Sequence, residues 1–139
     1  MAHVFISKFA DGLPLYRQQK IFARLGLDVS RSTMANWAIE ASIRCRPLID
    51  LLQQEIRSGP LINVDETTLQ VLKEPGRRNT SKSYMWLYRG GPIDQPVLVY
   101  QYAPSRSGQV AEDFIGDYQG FIQSDAFAGY DRFEKKPGM

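Results

Sequence analysis

The hydrophobic period changes once along this chain, at Ser58-Gly59-Pro60, and that change limits what the 139 residues can become. Before it, Met34, Trp37, Ala38, Ala41, Cys45, Leu48, Leu52 and Ile56 recur every three or four residues, which gathers apolar side chains on one helix face. Ser30 stands ahead of that run as an N-cap, and Pro47 inside it predicts a kink or two abutting helices. An earlier helix opens at Pro14, carries Leu15, Phe22 and Leu25 at helical spacing, and stops at Gly26. After the break, residues 61–72, 84–89 and 97–102 are rich in Ile, Val, Thr, Leu and Tyr and read as strands. Pro75-Gly76 and Gly90-Gly91-Pro92 lie between them, so the three strands should form an antiparallel meander. A short helix over 108–114 behind Ser107 and a fourth strand over 120–124 follow. The expected fold is α/β, a mixed sheet covered by helices, with residues 1–60 as a helical region and 61–139 as the sheet region. Such a sheet would still need another strand and helix, so it is expected to be incomplete at the C-terminal end.

Composition removes several classes. With 43% hydrophobic and 23% charged residues the chain is neither disordered nor of low complexity. No apolar run approaches the roughly 18 residues a membrane span needs, and Val4-Phe5-Ile6 is too short for the core of a signal peptide. A single cysteine, Cys45, forbids an internal disulfide and suits a reducing cytoplasm, and it reads as a small buried apolar residue. With that cysteine and one histidine, His3, a Cys/His zinc site cannot be assembled, so any metal must be held by carboxylates, which favours Mg²⁺ or Mn²⁺. Residues 1–60 carry eight Lys/Arg against five Asp/Glu, and residues 61–139 nine against ten. A basic first part beside an acidic second part suits a nucleic-acid-facing segment joined to a carboxylate site.

Two acids stand out. Asp65 lies within the apolar run Leu61-Ile62-Asn63-Val64-Asp65-Glu66-Thr67, where a carboxylate is costly unless something positive neutralises it. Asp125 closes the fourth strand. If those strands are neighbours, the two carboxylates can lie side by side and hold a divalent cation of the kind that assists phosphodiester cleavage. The plainer alternative leaves Asp65 exposed at an edge and Asp125 capping a helix.

Several blocks in register favour the first reading. Pro14-Leu15-Tyr16-Arg17-Gln18-Gln19, Ser30-Arg31-Ser32-Thr33-Met34-Ala35-Asn36-Trp37, Val64-Asp65-Glu66-Thr67, Tyr84-Met85-Trp86-Leu87-Tyr88-Arg89, Tyr102-Ala103-Pro104-Ser105-Arg106-Ser107-Gly108 and Ser124-Asp125-Ala126-Phe127-Ala128-Gly129-Tyr130 together resemble the bacterial insertion sequence 66 transposase family. The resemblance implies a ribonuclease-H-like core with an Asp-Asp-Glu triad, in which Asp65 matches the first acid and Asp125 the second. It implies DNA strand cleavage and strand transfer with two Mg²⁺ (or Mn²⁺) ions in the complete enzyme. Its partners would be double-stranded DNA, at transposon ends and target, and further copies of itself. Such a protein would work in the bacterial cytoplasm, on the nucleoid, with no membrane. The third acid of the family would fall beyond Met139, and its zinc-binding and leading DNA-binding segments before Met1, so the resemblance implies the middle of a transposase. The alternative is a catalytically inert DNA-binding or dimerising remnant.

The remaining candidates are Glu66, Glu112 and Glu134 as substitute acids, none of them well placed: Glu66 follows Asp65 and should point to the opposite face. The helices before Gly26 and after Ser30 read either as a helix-turn-helix or as a helical subdomain, and in both Arg24 and Arg31 could meet phosphates. Lys73, Arg77, Arg78 and Lys82 make a basic hairpin tip, a solvated turn or a DNA-backbone contact. Arg106 could pair with a core carboxylate or reach a phosphate, whereas Trp37, Trp86 and Tyr88 read as core.

Overall fold

The structure, a computed structural model, describes residues 1–125 and 128–130. It divides into two compact units, Met1–Pro47 and Leu48–Met139. The division falls earlier than the change of period at Pro60, because the last helix of the helical stretch packs with the sheet.

In the first unit α1 (Ala2–Phe5) runs into a π-helical turn (Ile6–Ala10), a segment with no readable period in the sequence. Helix α2 (Leu15–Arg24) follows with Pro14 as its extended N-cap, and Gly26 at φ +76° provides the left-handed turn that ends it. Helix α3 (Arg31–Arg44) is capped as expected: the Thr33 amide donates to Ser30 Oγ at 3.1 Å. Val4 and Met34 are the buried apolar side chains of this unit, and Gln18 is buried beside them, donating to the carbonyls of Val4 (3.3 Å) and Leu13 (3.1 Å). Trp37 is only half-buried.

The helical run over 31–58 is two abutting helices, α3 and α4 (Arg46–Ser58), with Pro47 in the first turn of the second, where its missing N–H leaves no bond unmade. Cys45 is the C-cap between them and is exposed, against the expectation that it is buried, because the break turns its position out of either apolar stripe.

The second unit holds a four-stranded mixed sheet in the order β3-β2-β1-β4, with β1 (Leu61–Gln70), β2 (Lys82–Gly90), β3 (Val97–Ala103) and β4 (Phe121–Gln123). The first three strands pair antiparallel and β4 lies parallel to β1. Helix α5 (Gly108–Ile115), capped by Ser107, precedes β4. One sheet face carries Ile62, Val64, Trp86, Tyr88, Val99 and Ala103, and it is covered by Ile56 of α4 and Ala111, Phe114 and Ile115 of α5. Tyr88 and Phe114 stack with ring centroids 3.5 Å apart, and Gln53 and Arg57 of α4 donate to the Phe114 carbonyl at the end of α5 (2.8 and 2.9 Å). Helix α4 approaches β2 so closely that a Cβ at Gly90 would stand 2.7 Å from the Ile56 carbonyl oxygen, so only glycine fits there. The opposite face keeps Leu98, Tyr100, Tyr102 and Phe121 exposed.

Candidate functional site

Strand β1 lies inside the sheet, between β2 and β4, and the last pair of the parallel ladder is Asn63↔Gln123. That pair is locked by side chains: Asn63 Nδ2 donates to Gln123 Oε1 at 2.7 Å, and Arg89 donates to Asn63 Oδ1 at 3.2 Å. Asp65 and Asp125 each stand two residues beyond it, along strands that run the same way. The Asp65 side chain is on the open face, exposed, and its Oδ1 accepts the Glu66 amide at 2.8 Å. The desolvation cost expected of Asp65 therefore does not fall on it. Asp125 is 55% exposed at its side chain, with Oδ2 3.8 Å from Arg106 Nη2.

The buried acid is the neighbouring one. Alternation along β1 turns Glu66 onto the face of Ile62 and Val64, and its side chain is 0% exposed. Arg106, in the segment between β3 and α5, donates from Nε to Glu66 Oε1 at 2.6 Å, and the Tyr130 hydroxyl donates to Glu66 Oε2. Tyr130 is buried and stands edge-on to Trp86, ring centroids 6.2 Å apart. Its hydroxyl is pushed up from the ordinary tyrosine value by burial and then by the bond to Glu66, and the bond to Glu66 likewise raises the Arg106 guanidinium. Of the two roles open to Arg106 in the sequence, pairing with a core carboxylate is the one present. The signal for Glu66 was its parity: a carboxylate in step with Ile62 and Val64 needs a cation on the core face.

The basic hairpin tip separates into two kinds of residue. Arg77 is turned inward, its Nη1 donating to Glu74 Oε2 (3.0 Å) and Ser83 Oγ (2.7 Å) and its Nη2 to the Lys82 carbonyl (2.9 Å). Tyr102 adds a hydroxyl bond to Glu74, which holds that carboxyl below its usual range, followed by the bonds and charge of Ser83 and Arg77. Lys73 takes a left-handed turn at φ 58° and gives its amide to Asn79 Oδ1 at 2.8 Å. Arg78 and Lys82 are exposed, as are Arg24 and Arg31 in the first unit. Glu112 is half-buried on α5, whereas Ala126, Phe127 and Glu134 lie outside the described residues.

Among the described residues no three His, Cys, Asp or Glu side chains cluster closely enough to hold a metal ion. Asp65 and Asp125 nonetheless offer what a hard cation takes, carboxylate oxygens reachable from solvent. No helix among the described residues is long and apolar enough to cross a membrane.

Three proteins of Sinorhizobium fredii are similar to the chain along nearly its whole length. The uncharacterized protein y4jD is 36% identical over 99% of the chain, y4qI 33% over 97%, and y4hP 26% over 94%. The chain spans about a quarter of the length of these curated relatives: 28%, 26% and 24% respectively. No solved structure matches it. The sequence model of the Transposase IS66 family matches residues 1–139, the whole of the chain, and the protein belongs to that family.

Proposed function

We propose that this chain takes part in DNA transposition, supplying two acids of a metal-dependent strand-cleavage and strand-transfer site built on the opening strands of a ribonuclease-H-like core. The observation that carries the reading is the parallel pairing of β4 with β1, which ends two residues short of Asp65 and Asp125 on both strands. Three antiparallel strands, a helix and a parallel strand beside the first supply the frame for such a core. Asp65 and Asp125 would hold Mg²⁺ or Mn²⁺, and the bound ion supplies electrostatic stabilisation of the charge on a reacting phosphodiester. The protein's own part is to carry both carboxylates exposed, one on β1 and one two residues beyond the strand paired with it. Exposed Arg24, Arg31, Arg78 and Lys82 would meet the DNA backbone, a contact that carries no base information.

A second reading, an inert DNA-binding or dimerising piece of a transposase, is favoured by one observation: no metal-sized cluster of three ligands exists among the described residues. Duplex DNA binding by the 139-residue chain, measured with and without Mn²⁺, separates the two. On the first reading Mn²⁺ raises the affinity, and Asp65→Asn or Asp125→Asn removes the rise. Binding that is steeply salt-dependent but indifferent to Mn²⁺ supports the second.

A further inference from the structure

We propose that Glu66 is a positioning residue, whose buried carboxylate holds the segment around Asp125 through Arg106 and Tyr130 and is not itself a cation ligand. This deepens the reading of Asp125 as a site acid and, for its metal arm, rests on it.

The β1–β4 ladder ends at Gln123, and beyond it side chains of other elements reach the chain. Glu66 provides two attachments. Through Oε1 it grips Arg106 Nε at 2.6 Å, and the far end of the same guanidinium stands 3.8 Å from Asp125 Oδ2. That separation is too long for a hydrogen bond and within reach of a solvent-screened attraction between opposite charges. Through Oε2 it takes the hydroxyl of Tyr130, which returns to the core five residues after Asp125 and packs on Trp86. Asp125 and Tyr130 are thus both linked to one carboxylate, carried by a strand interior to the sheet and opposite Trp86 in the β1–β2 ladder. Glu66 itself faces away from Asp65, is 0% exposed, and has each oxygen engaged. Supporting groups of this kind change metal affinity or activity roughly 10–100-fold when removed.

The experiment is ¹⁵N relaxation of the whole, metal-free chain, followed by Mn²⁺ titration of the same samples. In the parent chain the Asp125 amide should show an order parameter near the rigid value of about 0.85. In Glu66→Gln it should drop below about 0.6, the flexible range, while the β1–β2 ladder keeps its values. Tyr130→Phe, which keeps the ring against Trp86, and Arg106→Lys, which keeps the charge, should each give a smaller drop. These two decide the matter if Glu66→Gln fails to fold. An unchanged order parameter at Asp125 in both overturns the proposal. With Mn²⁺, the dissociation constant should rise roughly 10–100-fold in Tyr130→Phe. Equal or tighter binding there, where Oε2 has been released, would make Glu66 a ligand and overturn the second half. A parent chain that binds no Mn²⁺ overturns the metal reading of the function, whereas the relaxation data still decide the positioning role.

Discussion

The two units handle their apolar residues differently. In Met1–Pro47 the buried apolar side chains are Val4 and Met34, while Phe9, Leu25, Ile39 and Ile43 stay exposed. In Leu48–Met139 one face of the sheet removes Ile56, Ile62, Trp86, Tyr88 and Ile115 completely from water. At about 25 cal/mol per Å² of apolar area, the second arrangement is the stronger source of stability, and the first unit leans on caps and local bonds such as Ser30 and Gln18. The lesson concerns function as much as stability. Both candidate acids belong to the well-packed unit: Asp65 lies within β1, the rigid kind of element on which a binding geometry can be held, and Asp125 two residues beyond β4.

Substitutions can break or sharpen that contrast. The largest effect is expected from Trp86→Ala, about 4 kcal/mol, because it opens a cavity at the centre of the sheet unit. Met34→Ala, in the thin core of the helical unit, should cost about 2 kcal/mol at the low end for such changes. Denaturant midpoints of both variants check the order, and equal losses would remove the contrast. Next is Arg106→Ala, which takes the cation from the Glu66 carboxylate; because the Arg106 side chain is 40% exposed, water replaces part of what is lost and the denaturant midpoint should fall by less than in either core variant.

Alkaline pH should act on the sheet unit as well. Tyr88, Tyr118 and Tyr130 are all raised above the ordinary value of 10.0, in each case by burial first. Their neutral forms are favoured by folding, so this contribution is fully present below pH 10 and is lost as pH rises from there through the raised folded values. A stability curve by chemical denaturation at pH 8 to 11 should be flat at first and then fall. Acid acts at the hairpin: Glu74 is lowered from 4.5, so its contribution is present above that value and lost as pH falls below it. Smaller still is Ser30→Ala, expected to cost about 1 kcal/mol through the lost cap of α3. Arg78→Ala with Lys82→Ala should change stability by no more than about 0.5 kcal/mol. If those side chains meet DNA, the same pair should lower the salt slope of binding by about one per contact.

Much of the fold was legible in the sequence, and the reasons are local. The change of period, the Ser30 and Ser107 caps, Pro47 at a helix start and the Gly-rich turns are all written within a few residues of the feature they cause. What could not be read was either aperiodic or distant. The segment Ala2–Ala10 has a four-residue helix and a π-helical turn, too short for any apolar period to show. Cys45 looked buried because it continues an apolar stripe, and the helix break takes it off that stripe. Glu66 and Arg106 lie forty residues apart, and Glu66 and Tyr130 sixty-four, so no spacing rule joins them. Adjacent carboxylates at 65 and 66 drew attention to the first, whereas the strand's alternation gives the second the buried face. Arg77 likewise looked like a member of a basic tip until the fold turned it onto Glu74 and Ser83.

Paramagnetic broadening of amide signals by Mn²⁺ on the whole chain tests the central claim most directly, that Asp65 and Asp125 form one cation site on neighbouring parallel strands. Broadening should centre on residues 64–66 and 124–125, and both groups of signals should recover together in Asp65→Ala and in Asp125→Ala. Broadening confined to one of the two segments, or centred on the Glu74 hairpin, would contradict it.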